Sequence, residues 1–417
     1  MAILGLILGV LGVLGVMAGP VVPFEPEHTQ VSGSIQVLST SHVVNFPSGV
    51  ALSLQLRSTA DISDIQVFYR LGNQTVTSYG YPDFQPGSLV DTSFELRTDG
   101  DDFLPQGIVI RYRYVITDTT GQKLETEEYS VEYLDTSKSW QRLQVGDMDL
   151  LFHDRDYEGV ESVAEDVTKS LRDVKQLLGV TAIRSQKAVI LNGEREAQAS
   201  FPPISQTTSD RHVYGGFAFG DLDVFVLADL DRDGMVHEMT HLYMDEVLSA
   251  SRSRIPAWLN EGLAMYFEDG DKGRRRTVAR ASISGNLLSI RSMGRVPGRP
   301  DDVGLFYAQS WSVVGYLMDS HDDDRMVDLL NYLKRGRSFD PAFEASYGFD
   351  VEELDRQWRA SVRRGAAISA LPDPGTIGTS VLIAGAMAFA MLVILIRRIR
   401  GVTAPEGEGE EDVEFEQ

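Results

Sequence analysis

Near residue 140 the spacing of apolar residues changes from two to three or four, and that change sets the plan of the whole chain. Upstream, Val50, Leu52, Leu54 and Leu56 alternate with small or polar residues, and Ile108, Ile110, Tyr112, Tyr114 and Ile116 line one face of a later segment. Alternation of this kind belongs to half-buried strands. Turn formers at Leu71-Gly72-Asn73, Thr98-Asp99-Gly100 and Thr120-Gly121 separate the runs at intervals suited to a β-sandwich of the immunoglobulin or fibronectin type III kind. Residues 28–135 are therefore expected to form an all-β sandwich, with Leu104-Pro105-Gln106-Gly107 leading into its late hairpin. An adhesion or spacer role fits such a domain. The sequon Asn73-Gln74-Thr75 offers a glycan site in a host that glycosylates.

Downstream, residues 139–366 read as a second domain of α+β type, mostly helical in its C-terminal half. A helix is expected over about 159–178, where Val160, Val163, Val167, Leu171, Val174 and Leu178 recur at three- and four-residue steps. Strands are expected over 187–191 and 223–228, on either side of a loop rich in Ser, Thr and Pro. Residues 233–364 then read as helices, with Trp258, Trp311, Leu329, Leu330, Leu333 and Trp358 as core. No internal repeat is present.

The ends differ from both domains. Residues 376–396, TIGTSVLIAGAMAFAMLVILI, carry no charge, and at 21 residues they match the roughly 20 that a helix needs to cross a bilayer. Arg397, Arg398 and Arg400 follow at once, which places that side in the cytoplasm. One transmembrane helix is thus expected, with an acidic cytoplasmic tail over 397–417 too poor in apolar residues to fold. Residues 1–19 resemble a signal-peptide core or a retained N-terminal anchor, although no basic residue precedes the run. Both readings put residues of about 25–370 outside the cell membrane.

A net charge of −23 argues against a nucleic-acid partner. With no cysteine in 417 residues there is no disulfide, no thiolate nucleophile and no Cys-ligated metal, so any zinc must be held by His and carboxylate. That restriction meets a motif. Val236-His237-Glu238-Met239-Thr240-His241 contains H-E-x-x-H within a segment expected to be helical over about 234–249. Residues four apart share one helix face, so His237 and His241 can reach one ion while Glu238 points beside it. Pro256-Ala257-Trp258-Leu259-Asn260-Glu261-Gly262-Leu263-Ala264 then opens another helix, and Glu261 offers the third ligand that such a site lacks.

These two motifs resemble those of the gluzincins, the peptidase MA-like metallopeptidases related to thermolysin and aminopeptidase N, in which H-E-x-x-H is followed on the next helix by N-E-G or a similar signature. Trp140-Gln141-Arg142, Leu178-Gly179, Tyr307-Ala308-Gln309-Ser310-Trp311-Ser312, Tyr347-Gly348-Phe349, Leu354 and Trp358 extend the likeness over most of 139–364. Two departures stand out. Glu261 lies 20 positions after His241, one more than in aminopeptidase N relatives, and no G-x-M-E-N signature is present.

The resemblance implies a zincin-like fold, a Zn2+ cofactor held by His237, His241 and Glu261, and Glu238 as general base toward a zinc-activated water. The substrate it implies is a polypeptide. Tyr307 is the candidate oxyanion donor, by its place in the YAQSW segment, and a core Tyr on an amphipathic helix is the competing reading. Asn260 or Asp245 could orient His241, His321 is expected to face solvent among Asp322, Asp323 and Asp324, and the strand at 224–227 could be an edge on which a peptide pairs. Two other functions fit the same residues: a catalytically inactive gluzincin-like binding or adhesion protein, and a zinc hydrolase of a non-peptide bond. An intact Glu238 speaks against the first.

Overall fold

The protein is described here by a computed structural model covering residues 31–32, 34–180, 182–202, 215–249, 255–322 and 324–369. The expected leader (1–19), membrane helix (376–396) and tail (397–417) lie outside the described residues. Among the described residues no helix is long and apolar enough to cross a membrane.

The N-terminal region is built from β1 (Val31–Ser32), β2 (Ile35–Asn45), β3 (Gly49–Ser58), β4 (Ile62–Leu71), β5 (Ser78–Gly80), β6 (Leu89–Arg97), β7 (Val109–Asp118), β8 (Lys123–Glu125) and β9 (Tyr129–Glu132). They form two antiparallel sheets, β1-β2-β3-β6 and β5-β4-β7-β8, with β9 also paired to β7. One core lies between them. Val37, Leu52, Leu54 and Leu56 from the first sheet meet Ile65, Val67, Ile110 and Tyr114 from the second, all buried. The period of two does this directly, because every second side chain of a strand faces the same way.

The next region contains β10 (Gln141–Val145), β11 (Met148–Phe152), α1 (Tyr157–Leu178), β12 (Gln186–Ile190), α2 (Glu194–Ala197), β13 (Gly216–Phe219) and β14 (Val224–Leu227). Helices follow: α3 (Arg232–Ser249), α4 (Ala257–Tyr266), α5 (Arg274–Ser284), α6 (Pro300–Ser320), α7 (Asp324–Lys334), α8 (Phe339–Tyr347) and α9 (Val351–Ser369). The strands make one five-stranded sheet, ordered β10-β11-β12-β14-β13. β11, β12 and β14 run parallel, and the two outer strands are antiparallel to their neighbours. Strand 224–227 is therefore internal, paired on both sides. Its four residues are all buried, and the edge position falls to β13.

Helix α1 shows how sequence sets an element here. Asp156 caps its start by accepting a hydrogen bond from the Gly159 amide at 2.8 Å, and Gly179 in a left-handed conformation ends it. Val160, Ala164, Val167, Leu171 and Val174 form the buried stripe, while Val163 is only partly covered. α1 packs on α3, and α3 lies against β13 and β14. The opposite face of the sheet carries Leu151, Val189, Val224 and Val226, packed with Leu134 and Trp140.

Trp258, Leu329, Leu330, Leu333 and Trp358 are buried as expected, but Trp311 is not fully so; it lies half-covered beside the Arg274 guanidinium. Trp358 ends the first compact unit. Of the second unit, 359–417, residues 359–369 are described as the C-terminal turns of α9.

Candidate metal centre

Helix α3 begins where Asp231 accepts a hydrogen bond from the Gly234 amide at 2.8 Å, a side-chain cap that satisfies one of the helix's free N–H groups. The two histidines follow one turn apart on one face. Helix α4 starts just after Pro256 and is pressed against α6 at Gly262, where an added Cβ would lie 2.4 Å from Val314 Cγ2 and 2.6 Å from the Ser310 carbonyl oxygen. Only glycine allows that approach, and it fixes the neighbouring Glu261.

The three side chains converge. His237 Nε2 and His241 Nε2 are 3.1 Å apart, and Glu261 Oε2 is 3.5 Å from each. A tetrahedral zinc with ligands at about 2.0–2.1 Å would separate its donors by about 3.3–3.4 Å. The triangle therefore has the size, and the two-nitrogen, one-oxygen composition, of a three-residue catalytic zinc site. Side-chain exposures of 17%, 13% and 15% leave the cluster within reach of a ligand. No other group of three His, Cys, Asp or Glu among the described residues is so placed.

Electrostatics agree with a cation site. Burial disfavours a charged His237, but the carboxylates of Glu261 and Glu268 outweigh it and push the imidazole up to about 10. Burial also works to raise Glu261, yet His237 and His241 hold it down at about 2. The pocket thus favours positive charge, whether as protons or as a divalent ion. Glu238 is buried, and its carboxyl is pushed upward by that burial against the opposing pull of His237 and His241. Its Oε1 faces Gly216 of the edge strand, where a Cβ would come within 2.9 Å of it and 2.3 Å of Leu227 Cδ2.

Glu268 is a site residue that motif reading missed. His237 Nδ1 donates to Glu268 Oε1 at 2.8 Å, which turns Nε2 toward the cluster. Glu268 is gripped in turn by Arg274 and by Lys272 at 3.2 Å, and Lys272 reaches Asp233 on the first turn of α3 at 2.7 Å. The only signal in the sequence is its position two turns beyond Glu261.

His241 has no such support. Its Nδ1 is buried without a hydrogen-bond partner among the described residues, so neither Asn260 nor Asp245 orients it. Asp245 instead lies against Gly220, and burial raises its carboxyl. His321 does not face solvent among the aspartates; its ring is edge-on to Tyr316 and Tyr347 and near Phe349, because the turn after α6 folds back over α8. Tyr307 lies partly exposed on α6 with its ring edge-on to Phe306, one turn before Ser310 and two before Val314, the residues that meet Gly262.

A mixed sheet with an antiparallel edge, a paired-histidine helix and a carboxylate from the next helix make up the arrangement that the two motifs led one to expect. Residues 174–364 match the model of the Peptidase MA superfamily. Solved structures with a likeness include an M1 zinc metallopeptidase from Deinococcus radiodurans (13% identity, 75% of this chain and 90% of that one, TM-score 0.35). An aminopeptidase N family protein from Idiomarina loihiensis is another (11% identity, 75% and 73%, TM-score 0.38). Among curated proteins, none matches the chain.

Proposed function

We propose that the chain is a membrane-anchored, zinc-dependent metallopeptidase that hydrolyses peptide bonds of extracellular or envelope polypeptides. The observation that carries this reading is the triangle of His237, His241 and Glu261 with Glu238 buried beside it. Zinc held by those three side chains would supply a Lewis acid that polarises the scissile carbonyl and makes water acidic near neutral pH. Glu238 takes the proton of the attacking water and returns it to the leaving amine. Its burial suits the second role, since a carboxyl pushed upward holds a proton longer. Strand β13 presents its backbone beside Glu238, where an extended peptide could pair as a further strand. Tyr307 remains the candidate donor to the developing oxyanion, on the strength of its place on the α6 stripe that meets α4.

The run 376–396 and the arginines that follow support a single membrane anchor with the catalytic region outside. The partition of strands, β2-β3-β6 against β5-β4-β7-β9, supports a fibronectin-like sandwich.

The test is zinc content and casein cleavage by the purified full-length protein beside His237→Ala, Glu238→Gln and Tyr307→Phe. The wild type should bind one zinc and cleave. His237→Ala should lose both properties; Glu238→Gln should keep zinc and lose about 10²–10⁴ in kcat. Tyr307→Phe should lose about 10²–10³ in kcat if it serves the oxyanion. Zinc bound without cleavage of any peptide would move an inactive binding protein, or a hydrolase of another bond, ahead.

A further inference from the structure

We infer that the sandwich sets the position of edge strand β13 against Glu238, with Asn73 and Phe103 as positioning residues for a polypeptide lying along that strand. The inference rests on the peptidase reading and deepens it.

The link begins in the loop after β4. Arg111 Nη1 donates to the Gly72 carbonyl oxygen at 2.7 Å and the Gly72 amide donates to the Val109 carbonyl oxygen at 2.9 Å, so this loop is tied to β7. Asn73 Nδ2 then donates to Asp223 Oδ2 at 2.7 Å, a contact spanning 150 residues of chain. Asp223 is buried and left-handed, at φ 55°, in the turn that joins β13 to β14. A non-glycine residue in that conformation is held there by its partners, and here they are Asn73 and Arg184, the latter at 3.0 Å. Leu222, one residue earlier, packs against both the sandwich core and the sheet core. From a second sandwich loop, the Phe103 ring sits 5.9 Å from that of Phe219, the last residue of β13.

On its other side the same turn leans on the metal helix. A Cβ on Gly220 would lie 2.1 Å from Asp245 Oδ2, one helical turn past His241. At the far end of the strand, Gly216 abuts the Glu238 carboxylate. β13 pairs with β14 alone among the described residues, so its placement depends on β14, α3 and the sandwich. Loosening the turn shifts a row of backbone hydrogen-bonding groups. A long peptide that pairs with several of them would lose more than a short one that reaches only the cluster.

The test compares full-length wild type with Asn73→Ala, Phe103→Ala, Asn73→Asp and the double variant Asn73→Asp/Asp223→Asn. Two quantities are read: amide hydrogen exchange over 215–223 without substrate, and KM and kcat for an extended peptide and for a dipeptide-sized substrate. Asn73→Ala and Asn73→Asp should speed exchange about tenfold, the effect of losing a hydrogen bond to a charged acceptor. They should raise KM for the long peptide and leave kcat on the short one unchanged. Phe103→Ala should act the same way. The double variant, which exchanges amide and carboxylate, should return both quantities toward wild type.

Unchanged exchange and KM in the single variants, or no recovery in the double variant, would overturn the inference. Because exchange is read without substrate, a protein that cuts no peptide would sink the peptidase reading while exchange still decided whether the sandwich holds the strand.

Discussion

The two β-regions on either side of residue 134 are buried in different ways. Strands β3 and β7 alternate buried side chains with partly covered or exposed ones, so each sandwich sheet buries one face against the other. The inner strands of the second sheet, such as Val224–Leu227, are covered on both faces, and one of those covers includes Leu134, Trp140 and the sandwich-packed Leu222. A self-sufficient sheet thus stands beside one that borrows part of its core.

The strongest way to break this contrast is to remove residues 31–133. The remainder should lose its cooperative thermal transition in calorimetry, whereas a fragment of residues 31–135 should keep a sharp one. A trimmed second domain that melts cooperatively would refute the dependence.

A smaller effect sharpens the same contrast at the metal centre, where among the described residues His237 is supported from behind and His241 is not. Glu268→Gln replaces the carboxylate that accepts from His237 Nδ1. Zinc affinity, measured by competition with a chelator, should fall by about 10- to 100-fold, the range for losing a partner of a metal-bound histidine.

The smallest expected effect lies in the sandwich alone. Hydrogen bonds from the Ser34 and Thr120 hydroxyls hold Asp118 down at about 2; burial opposes them, and the Gln122 and Thr120 amides reinforce them. Its unfolded value is about 3.9. A carboxylate depressed on folding stabilises above the unfolded pKa, and that contribution is lost as pH falls from about 4 to about 2. Acid unfolding of the sandwich followed by circular dichroism should show this limb, and Asp118→Asn should flatten it.

Much of this was legible before any coordinates. Helix α1 and the sandwich strands follow from apolar spacing, since a period of 2 or 3.6 has one reading over ten or more residues, whereas the metal helix is read from its H-E-x-x-H motif. The triangle was legible because its members sit on two helices that carry distinctive motifs. Strand β13 was not, because Gly-Phe-Ala-Phe is too short to show a period. Glu268 escaped because its role depends on the turn after α4 bringing it back to α3. The Asn73–Asp223 contact has no sequence signature at all. Trp311 and His321 were misplaced for a shared reason: local polarity does not say which aromatic neighbours will arrive from distant helices.

Gly216 carries a consequence for how such a molecule can diversify. A side chain at this position, opposite the buried Glu238, would press on Leu227 Cδ2 and Glu238 Oε1. A polypeptide paired along β13, as proposed, would meet only main-chain atoms at that point, indifferent to which residue it presents. Under that proposal, preference among substrates would have to be written into the helices and loops around the cluster, because Gly216 leaves little room for a side chain beside Glu238.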